Sequence, residues 1–289
     1  MSVVSPFPSA PLHSLKAAAR RLALYALAIV VSLAFVFPLY WMLVTAIIPG
    51  EQAFHFPPYF FPAAVRLDAF REIIERQPIL TWLTNSLIIS LSTTLLTLTM
   101  SITGAYALSK TGWRGRRGLG FGLLITQMVP SALLVIPIFI IFKNLGLLNS
   151  QLGLVIAHSA LTVPIGVWVL KGFFENIPSE IHDAAVVDGS NELGVLTRIV
   201  IPMSAPALVA VAVIAFFTSW DEYVFSAVFI QSQSLRVFSV GISTFIGELT
   251  TPIDLVFAAA ILFVIPPLIF YGLIERYLIA GFSAGAVKG

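Results

Sequence analysis

The chain has 289 residues, of which 58% are hydrophobic and only 10% are charged, and its mean hydropathy is +0.97. Because soluble domains carry about 25% charged residues, this composition excludes a soluble globular protein and indicates an integral membrane protein. The formal net charge of +2 is too small to indicate nucleic-acid binding, and the absence of cysteine excludes disulfides, thiolate nucleophiles and cysteine-based metal sites.

Six apolar stretches are long enough to span a bilayer, since about 20 apolar helical residues cross a hydrocarbon core about 30 Å thick. They lie at 22–48, 82–108, 119–142, 152–174, 204–230 and 252–274. The first is unlike a secretory signal, because its apolar run is too long and no small-residue cleavage site follows it. We therefore predict an all-α polytopic membrane protein with six transmembrane helices, made of a segment 1–21 and one transmembrane domain 22–289.

Lysine and arginine are concentrated in the segments on one predicted side of the membrane. These residues are Lys16, Arg20, Arg21, Lys110, Arg114, Arg116, Arg117, Lys171, Arg198, Arg276 and Lys288. Segments rich in lysine and arginine favour the cytoplasmic side. The charge pattern therefore predicts that both termini are cytoplasmic, in agreement with an even number of spans.

Two longer segments lie on the predicted outer side. In residues 67–76, Leu67, Phe70, Ile73 and Ile74 recur at helical spacing, which permits a short amphipathic helix along the outer membrane face. We prefer the simpler interpretation, a loop that covers the bundle. The second segment, residues 231–251, mixes apolar side chains with Ser and Gly and is a candidate contact for another protein.

The segment 178–202 is a polar island between two apolar runs. Four of the 14 carboxylates lie in it: Glu180, Asp183, Asp188 and Glu192. A few turn residues are enough to connect two spans, so a loop long enough for two helices is predicted to contact a partner. For this pattern alone, a solvated surface loop without a partner is the favoured interpretation, because short acidic amphipathic helices are common.

Capping signals predict where the helices of this island begin and end. Ser179 is expected to cap a first helix, which runs to about Val187 and stops at Gly189 in a left-handed conformation. Ser190 is expected to cap a second helix, which ends at Pro202. Its apolar face is predicted to consist of Leu193, Leu196 and Val200.

The first helix is predicted to present small side chains on one face. Ile181, Ala184, Ala185 and Asp188 share that face at helical spacing. Side chains of this size, together with Gly189, let the backbone of another protein approach closely, while carboxylates can meet its basic groups.

Polar side chains inside apolar spans are costly unless they face a cavity or other protein, which makes them candidates for a transport pathway. These candidates are Asn85, Gln127, His158, Trp220, Asp221 and Glu222. Asp221 and Glu222 lie past the middle of the fifth span, where they can line a solute path, cap a broken helix or pair with a basic group of a partner span. His158 beside Ser159 is more typical of a helix interface than of a catalytic dyad. No catalytic or metal-binding residues are predicted.

The island resembles the permease subunits of ATP-binding-cassette importers. Their shared motif reads Glu-Ala-Ala, three residues, Gly, nine residues, Ile, one residue, Leu-Pro. This chain departs from the motif at two positions, since Asp183 replaces the Glu and Ile201 replaces the Leu. The matching positions are Ala184, Ala185, Gly189, Ile199 and Pro202. Further similarity to the carbohydrate-importer branch, the six-span subunit of the maltose-transporter type, lies at 177–180, 188–189, 220–223 and 281–289.

This resemblance implies that the helix at 179–189 docks in a groove of a cytoplasmic ATPase, within a cytoplasmic coupling loop at 175–203. The implied coupling residues are Glu180, Asp183, Ala184, Ala185, Asp188 and Gly189. The sequence contains no Gly-x-x-x-x-Gly-Lys-Ser/Thr loop, so ATP and Mg are expected on partner subunits and no cofactor on this chain. In the resembling family Asn-Glu often stands at the Asp221-Glu222 step, which favours a structural role for these acids over solute contact.

The implied assembly contains a second permease, in a heterodimeric pair, two ATP-binding subunits and an extracytoplasmic sugar-binding protein, in a prokaryotic plasma membrane. Two other classes stay open at this point. A secondary, ion-coupled transporter would need internal repeat symmetry and ion-coupling groups. An intramembrane enzyme would need a convergent nucleophile or metal constellation. Neither pattern is found in the sequence.

Overall fold

A computed structural model describes residues 12–53, 55–62, 64–245 and 252–286, and over these residues it contains helices and no β-strand. The predicted all-α class is therefore confirmed. The α-helices are α1 (Leu12–Ile47), α2 (Asp68–Arg76), α3 (Ile79–Ser109), α4 (Arg116–Thr126), α5 (Ser131–Asn144), α6 (Gln151–Glu175), α7 (Ser179–Val187), α8 (Glu192–Val195), α9 (Ile201–Met203), α10 (Ala205–Trp220), α11 (Val224–Phe229), α12 (Phe238–Ser243) and α13 (Ile253–Ala286). Parts of the predicted segments 1–21, 231–251 and 281–289 lie outside the described residues.

Four helices, α1, α3, α6 and α13, are each long and apolar enough to cross a membrane. Two bent pairs also qualify if each is one span: α4 with α5, bent by 105°, and the helix at Glu192–Met203 with α10, bent by 81°. The described residues therefore provide up to six spans, as the sequence predicts. Helix α3 packs along α6 and α10, and α1 packs along α13.

The third predicted span, 119–142, consists of two helices with a sharp bend between them. Helix α4 ends at Thr126, and α5 begins only at Ser131. Pro130 has no backbone N–H and disfavours helical geometry at the residue before it, so the helix cannot pass straight through this point. The prolines at 137 and 164 lie inside α5 and α6 without ending them.

The fifth predicted span, 204–230, is also broken. Helix α10 has 16 residues and ends at Trp220, and the six-residue α11 resumes at Val224. At about 1.5 Å per residue, α10 is about 24 Å long, which is shorter than a hydrocarbon core of about 30 Å. The polar step Asp221-Glu222 therefore lies between two helical pieces rather than within one helix.

The segment 67–76, which is predicted to lie on the outer side, forms a helix, α2, that packs against α13. Its buried side chains are Ala69 and Ile73, and Ile73 joins a core cluster with Trp82. Leu67 precedes the helix and is exposed, so only part of the predicted apolar face is buried. The segment is therefore a docked helix that covers the bundle and not an irregular loop.

Candidate functional site

Helix α7 starts one residue earlier than its predicted cap implies. Pro178 occupies the N-cap position, and Ser179 is the first helical residue and makes no capping hydrogen bond. Proline suits this place because its missing N–H would have no partner in the first turn of a helix. The predicted end at Val187 is confirmed.

The end of α7 is a closed Schellman turn around Gly189. Gly189 has φ of +87°, as predicted, and its N–H donates to the Val186 carbonyl at 3.0 Å. The N–H of Ser190 donates to the Ala185 carbonyl at 2.9 Å. These two hydrogen bonds satisfy the last helical carbonyls and turn the chain sharply toward α8.

The second helix of the island differs from its prediction at both ends. Asn191, and not Ser190, is the cap, since its side chain accepts from the Gly194 N–H at 2.8 Å. The helix then continues through a π-helical turn, Leu196–Val200, and ends at Met203, beyond Pro202. The wider π turn has different hydrogen-bond partners from an α-helix, which allows Pro202 to lie inside the helix without ending it.

Helix α7 has two distinct faces. Ala185 is only 6% exposed and packs into a core cluster of this chain with Phe174, Val195 and others. Its neighbour Ala184 is exposed. The predicted common face of Ala184 and Ala185 is therefore wrong for Ala185, whose methyl group holds α7 against its own bundle instead of meeting a partner.

The exposed side of α7 combines acids with apolar side chains. Glu180, Asp183, Asp188 and Gly189 are exposed there, as a docking surface requires. Val187 is 86% exposed and Val186 is exposed as well, which the sequence reasoning missed. The signal was present in the sequence, since Val186 and Val187 occupy the last turn of a short helix that stops before Asp188 and Gly189, and residues at such an end are expected to lie at the tip of the loop.

A polar joint connects the end of α3 to this island. The Tyr106 hydroxyl donates to the Glu192 carboxylate, and His182 Nε2 lies 3.4 Å from the same oxygen. The Lys110 ammonium donates to the Ile177 carbonyl at 2.7 Å. Partial burial lowers the pKa of the Lys110 ammonium, because its charged form loses hydration. These contacts hold both sides of α7 to one span.

The break after α10 is built around Glu222. Its mostly buried carboxylate accepts from the N–H of Phe225 at 2.7 Å, and from the N–H and hydroxyl of Ser226, each at 2.9 Å. The side chain thereby satisfies the first N–H groups of α11. Ser239 donates to the Glu222 backbone carbonyl at 2.8 Å and anchors the same turn to α12. The proposed helix-capping role of Glu222 therefore agrees with its contacts.

Asp221 and Trp220 differ in exposure, although both line the same groove. Trp220 is buried and stacks against Phe263 with a centroid distance of 5.2 Å. Asp221 is exposed and lines a groove between α10 and α13 that also contains Pro267 and Tyr271. Among the described residues its carboxylate has no ion pair or hydrogen bond. Asp221 is thus the acid of this step that faces outward from the chain.

His158 connects α6 to the break. Its Nδ1 lies 2.8 Å from the Ser219 hydroxyl, and its Nε2 lies 3.2 Å from the Glu222 carboxylate. The imidazole is almost completely buried. The predicted helix-interface role is supported by these contacts, although the partners are Ser219 and Glu222 and not the adjacent Ser159.

Residues 97–283 match the family described as binding-protein-dependent transport system inner membrane component. The chain belongs to this family. The match runs from the second half of α3 through α13, so it includes the α7 loop and the break after α10. The protein is thus a multi-pass membrane component of a transport system.

Curated relatives cover nearly the whole chain. The chain is 31% identical over 265 residues to the diacetylchitobiose uptake system permease protein DasC of Streptomyces coelicolor. This alignment covers 91% of this chain and 95% of that protein. It is also 31% identical over 274 residues to the trehalose/maltose transport system permease protein MalG of Thermococcus litoralis, covering 93% and 98%.

A solved structure confirms the fold. A chain of a bacterial ABC transporter involved in the import of the acidic polysaccharide alginate superposes with a TM-score of 0.76 at 22% identity. The alignment covers 94% of this chain and 99% of that one. The helical arrangement of this inner membrane component is therefore that of an importer subunit.

The two other predicted pathway residues of this inner membrane component have different positions. Asn85 is buried, donates to the carbonyls of Ser234 and Arg236 at 2.9 Å each, and accepts from Gln151 at 2.8 Å. These hydrogen bonds engage its side-chain amide within the chain and tie α3 to α6 and to the segment between α11 and α12. Gln127 is exposed at the bend between α4 and α5 and donates to the Leu161 carbonyl at 3.3 Å.

The described residues contain no cluster of three or more metal-binding side chains.

Proposed function

We propose that this chain is a transmembrane permease subunit of an ATP-driven importer that translocates a sugar or oligosaccharide. Relatives covering most of the chain are named as diacetylchitobiose and trehalose/maltose permeases, and these names support a carbohydrate as the solute. The proposed assembly contains a second, different permease, two ATP-binding subunits and an extracytoplasmic sugar-binding protein in a prokaryotic plasma membrane. Both termini and the loop 175–203 face the cytoplasm, and 22–289 forms the permease domain.

The exposed face of α7 carries the proposal for ATPase coupling. Glu180, Asp183 and Asp188 offer acceptors for basic groups, Ala184 permits close approach, and the tip next to Gly189 adds apolar area. The chain itself is non-catalytic in this proposal, and ATP and Mg are bound by the partner subunits. Closure of the ATPase pair would push on α7, and Ala185 together with the Tyr106 joint would pass that force to α3 and α6.

For the solute pathway we propose the region around Gln127 and the break after α10. Asp221 contributes an exposed carboxylate, while Trp220 and Glu222 support it, the first by packing and the second by capping α11. Carbohydrate recognition needs hydrogen-bonding groups beside apolar or aromatic surface, and the groove at Asp221 offers both.

The absence of native cysteine allows a sharp test of the coupling proposal. Ala184→Cys and Ala185→Cys would each be introduced into the full assembly, treated in native membranes with a thiol-directed crosslinker, and probed for an ATP-binding partner. Crosslinking is expected from position 184 and not from the buried position 185. Failure at both positions, or uptake by the purified chain without an ATPase, would contradict the proposal, and the second result would favour an ion-coupled transporter.

A further inference from the structure

A second cleft lies at the end of the bundle that carries α7, between α4 and α6. Its lining consists of Arg116, Arg117, Gly120, Phe121, Leu124, Trp168 and Lys171. Helix α4 begins with two arginines and continues into apolar residues, and it is turned by 105° from α5. Three basic and three apolar or aromatic side chains thus meet in one depression.

The charges of this cleft are only partly neutralised within the chain. Lys171 lies 2.7 Å from Glu175 and 5.4 Å from the centre of the Trp168 ring. Arg116 donates to the Thr111 carbonyl at 3.0 Å, which fixes its guanidinium near the rim. Among the described residues, Arg117 forms no ion pair or hydrogen bond through its side chain. The cleft therefore has three cations and one nearby carboxylate, and one of the three cations, Arg117, is unpaired among the described residues.

The apolar part of the cleft continues onto an exposed surface. Phe121 is exposed and Leu124 lies beside it in the cleft, while Ile125 continues the exposed apolar surface of α4. Trp168 is also exposed, and tryptophan is enriched at the interface between lipid and water. A helix with arginine at one end and such a surface along it is typical of the membrane interface.

We propose that the cleft between α4 and α6 binds the phosphate headgroup of an anionic phospholipid, with an acyl chain along Phe121 and Leu124. Guanidinium groups form strong, often bidentate, hydrogen bonds with phosphate oxygens, and basic clefts between membrane helices suit anionic headgroups. A free phosphate ion would leave the apolar half of the cleft unused, so charge and shape together favour a lipid. The inference depends on membrane insertion and not on the identity of the solute.

The test uses the full-length chain in its purified assembly, with phosphatidylglycerol as the probe and native mass spectrometry as the measurement. Each Lys or Arg near an anionic headgroup contributes about 1 kcal/mol, which is about fivefold in affinity. Arg117→Gln is therefore expected to weaken phosphatidylglycerol binding about fivefold, and Arg117→Gln combined with Lys171→Gln about 30-fold. Arg114→Gln is the matched control, since Arg114 is exposed in the turn just before α4 but does not line the cleft.

Three results would overturn the inference. Equal weakening by Arg114→Gln would show that only the general charge of this face attracts the lipid. Equally tight binding of phosphatidylcholine would remove the need for a net negative headgroup. Displacement of phosphatidylglycerol by inorganic phosphate at comparable concentration would identify a free-anion site. Phosphatidylglycerol binding that falls only in the cleft variants would support the site, and solute uptake need not be measured to decide it.

Discussion

The two adjacent alanines of α7 allow a direct test of which face serves which purpose. Ala185→Leu adds three carbon atoms to a side chain that is 6% exposed and packed among Phe174, Val195 and Leu196. Overpacking of this kind costs about 1–3 kcal/mol. At about 2–4 °C per kcal/mol for a chain of this size class, the melting temperature is expected to fall by about 2–12 °C.

Ala184→Leu is expected to behave differently, because Ala184 is exposed. A surface change of this kind usually stays within about 0.5 kcal/mol of the original stability. The added side chain would instead hold off a partner that packs closely on α7. If the same overpacking cost of about 1–3 kcal/mol applies at that contact, ATPase docking weakens by about 5- to 150-fold.

The assay compares the melting temperature of the purified assembly with ATP-driven solute uptake in proteoliposomes, using Ala184→Ser and Ala185→Ser as controls of similar size. Ala185→Leu should lower the melting temperature, and Ala184→Leu should lower uptake at unchanged melting temperature. A loss of stability in Ala184→Leu equal to that in Ala185→Leu would refute the division into two faces. Normal uptake in Ala184→Leu would refute the docking role.

Three further changes address the joint and the break. Gly189→Ala is expected to destabilise the α7 turn by about 1–2 kcal/mol, because φ is +87° although open space surrounds the position, and thermal unfolding measures this cost. Tyr106→Phe keeps the buried ring and removes the hydrogen bond to the largely exposed Glu192, so the contact between α3 and the α7 loop is expected to weaken by only about 0.5–1.5 kcal/mol. The weaker contact should appear as more ATP hydrolysed per solute transported, and an unchanged ratio would argue against the joint. Glu222→Gln should destabilise the assembly by about 1–3 kcal/mol, because the carboxylate accepts from the N–H groups of Phe225 and Ser226. Asp221→Asn should leave stability unchanged. A change of solute preference in Asp221→Asn would place Asp221 in the pathway.

Local features of the sequence predicted local structure well. The end of α7 at Val187 and the left-handed Gly189 follow from a glycine after a short amphipathic run, and the structure has both. Predictions that depended on choosing between neighbouring residues were wrong, since Pro178 and Asn191 are the caps and the adjacent serines are not. Serine and asparagine can both cap a helix through a side-chain oxygen, whereas Pro178 occupies the N-cap position without a side-chain hydrogen bond, so the path of the chain decides which residue takes that position.

Features set by distant parts of the chain could not be predicted from one sequence. Residues 223–230 are mostly apolar, so a hydropathy window continues the fifth span past Trp220, where α10 ends, and past Glu222, which caps α11. Tyr106 and Glu192 are separated by 86 positions, and His158 and Glu222 by 64, and neither spacing carries a local signal. Asn85 is a polar residue inside an apolar span, which is the pattern expected of a pathway residue, and its three hydrogen bonds join it to residues 66, 149 and 151 positions away.

Helix α6 is the physical link between the two functional regions. At one end Phe174 packs in the cluster that contains Ala185, and His158, about 24 Å away at about 1.5 Å per residue, contacts Glu222 at the break. Between them, Gly166 lies so close to Ser101 of α3 that a Cβ atom there would be 2.3 Å from its hydroxyl, which fixes α6 tightly to α3. A displacement of α7 that moves this end of α6 must therefore also displace His158 or strain its contact with Glu222. Uncoupling by variants at the break, with α7 intact, would be the signature of this connection.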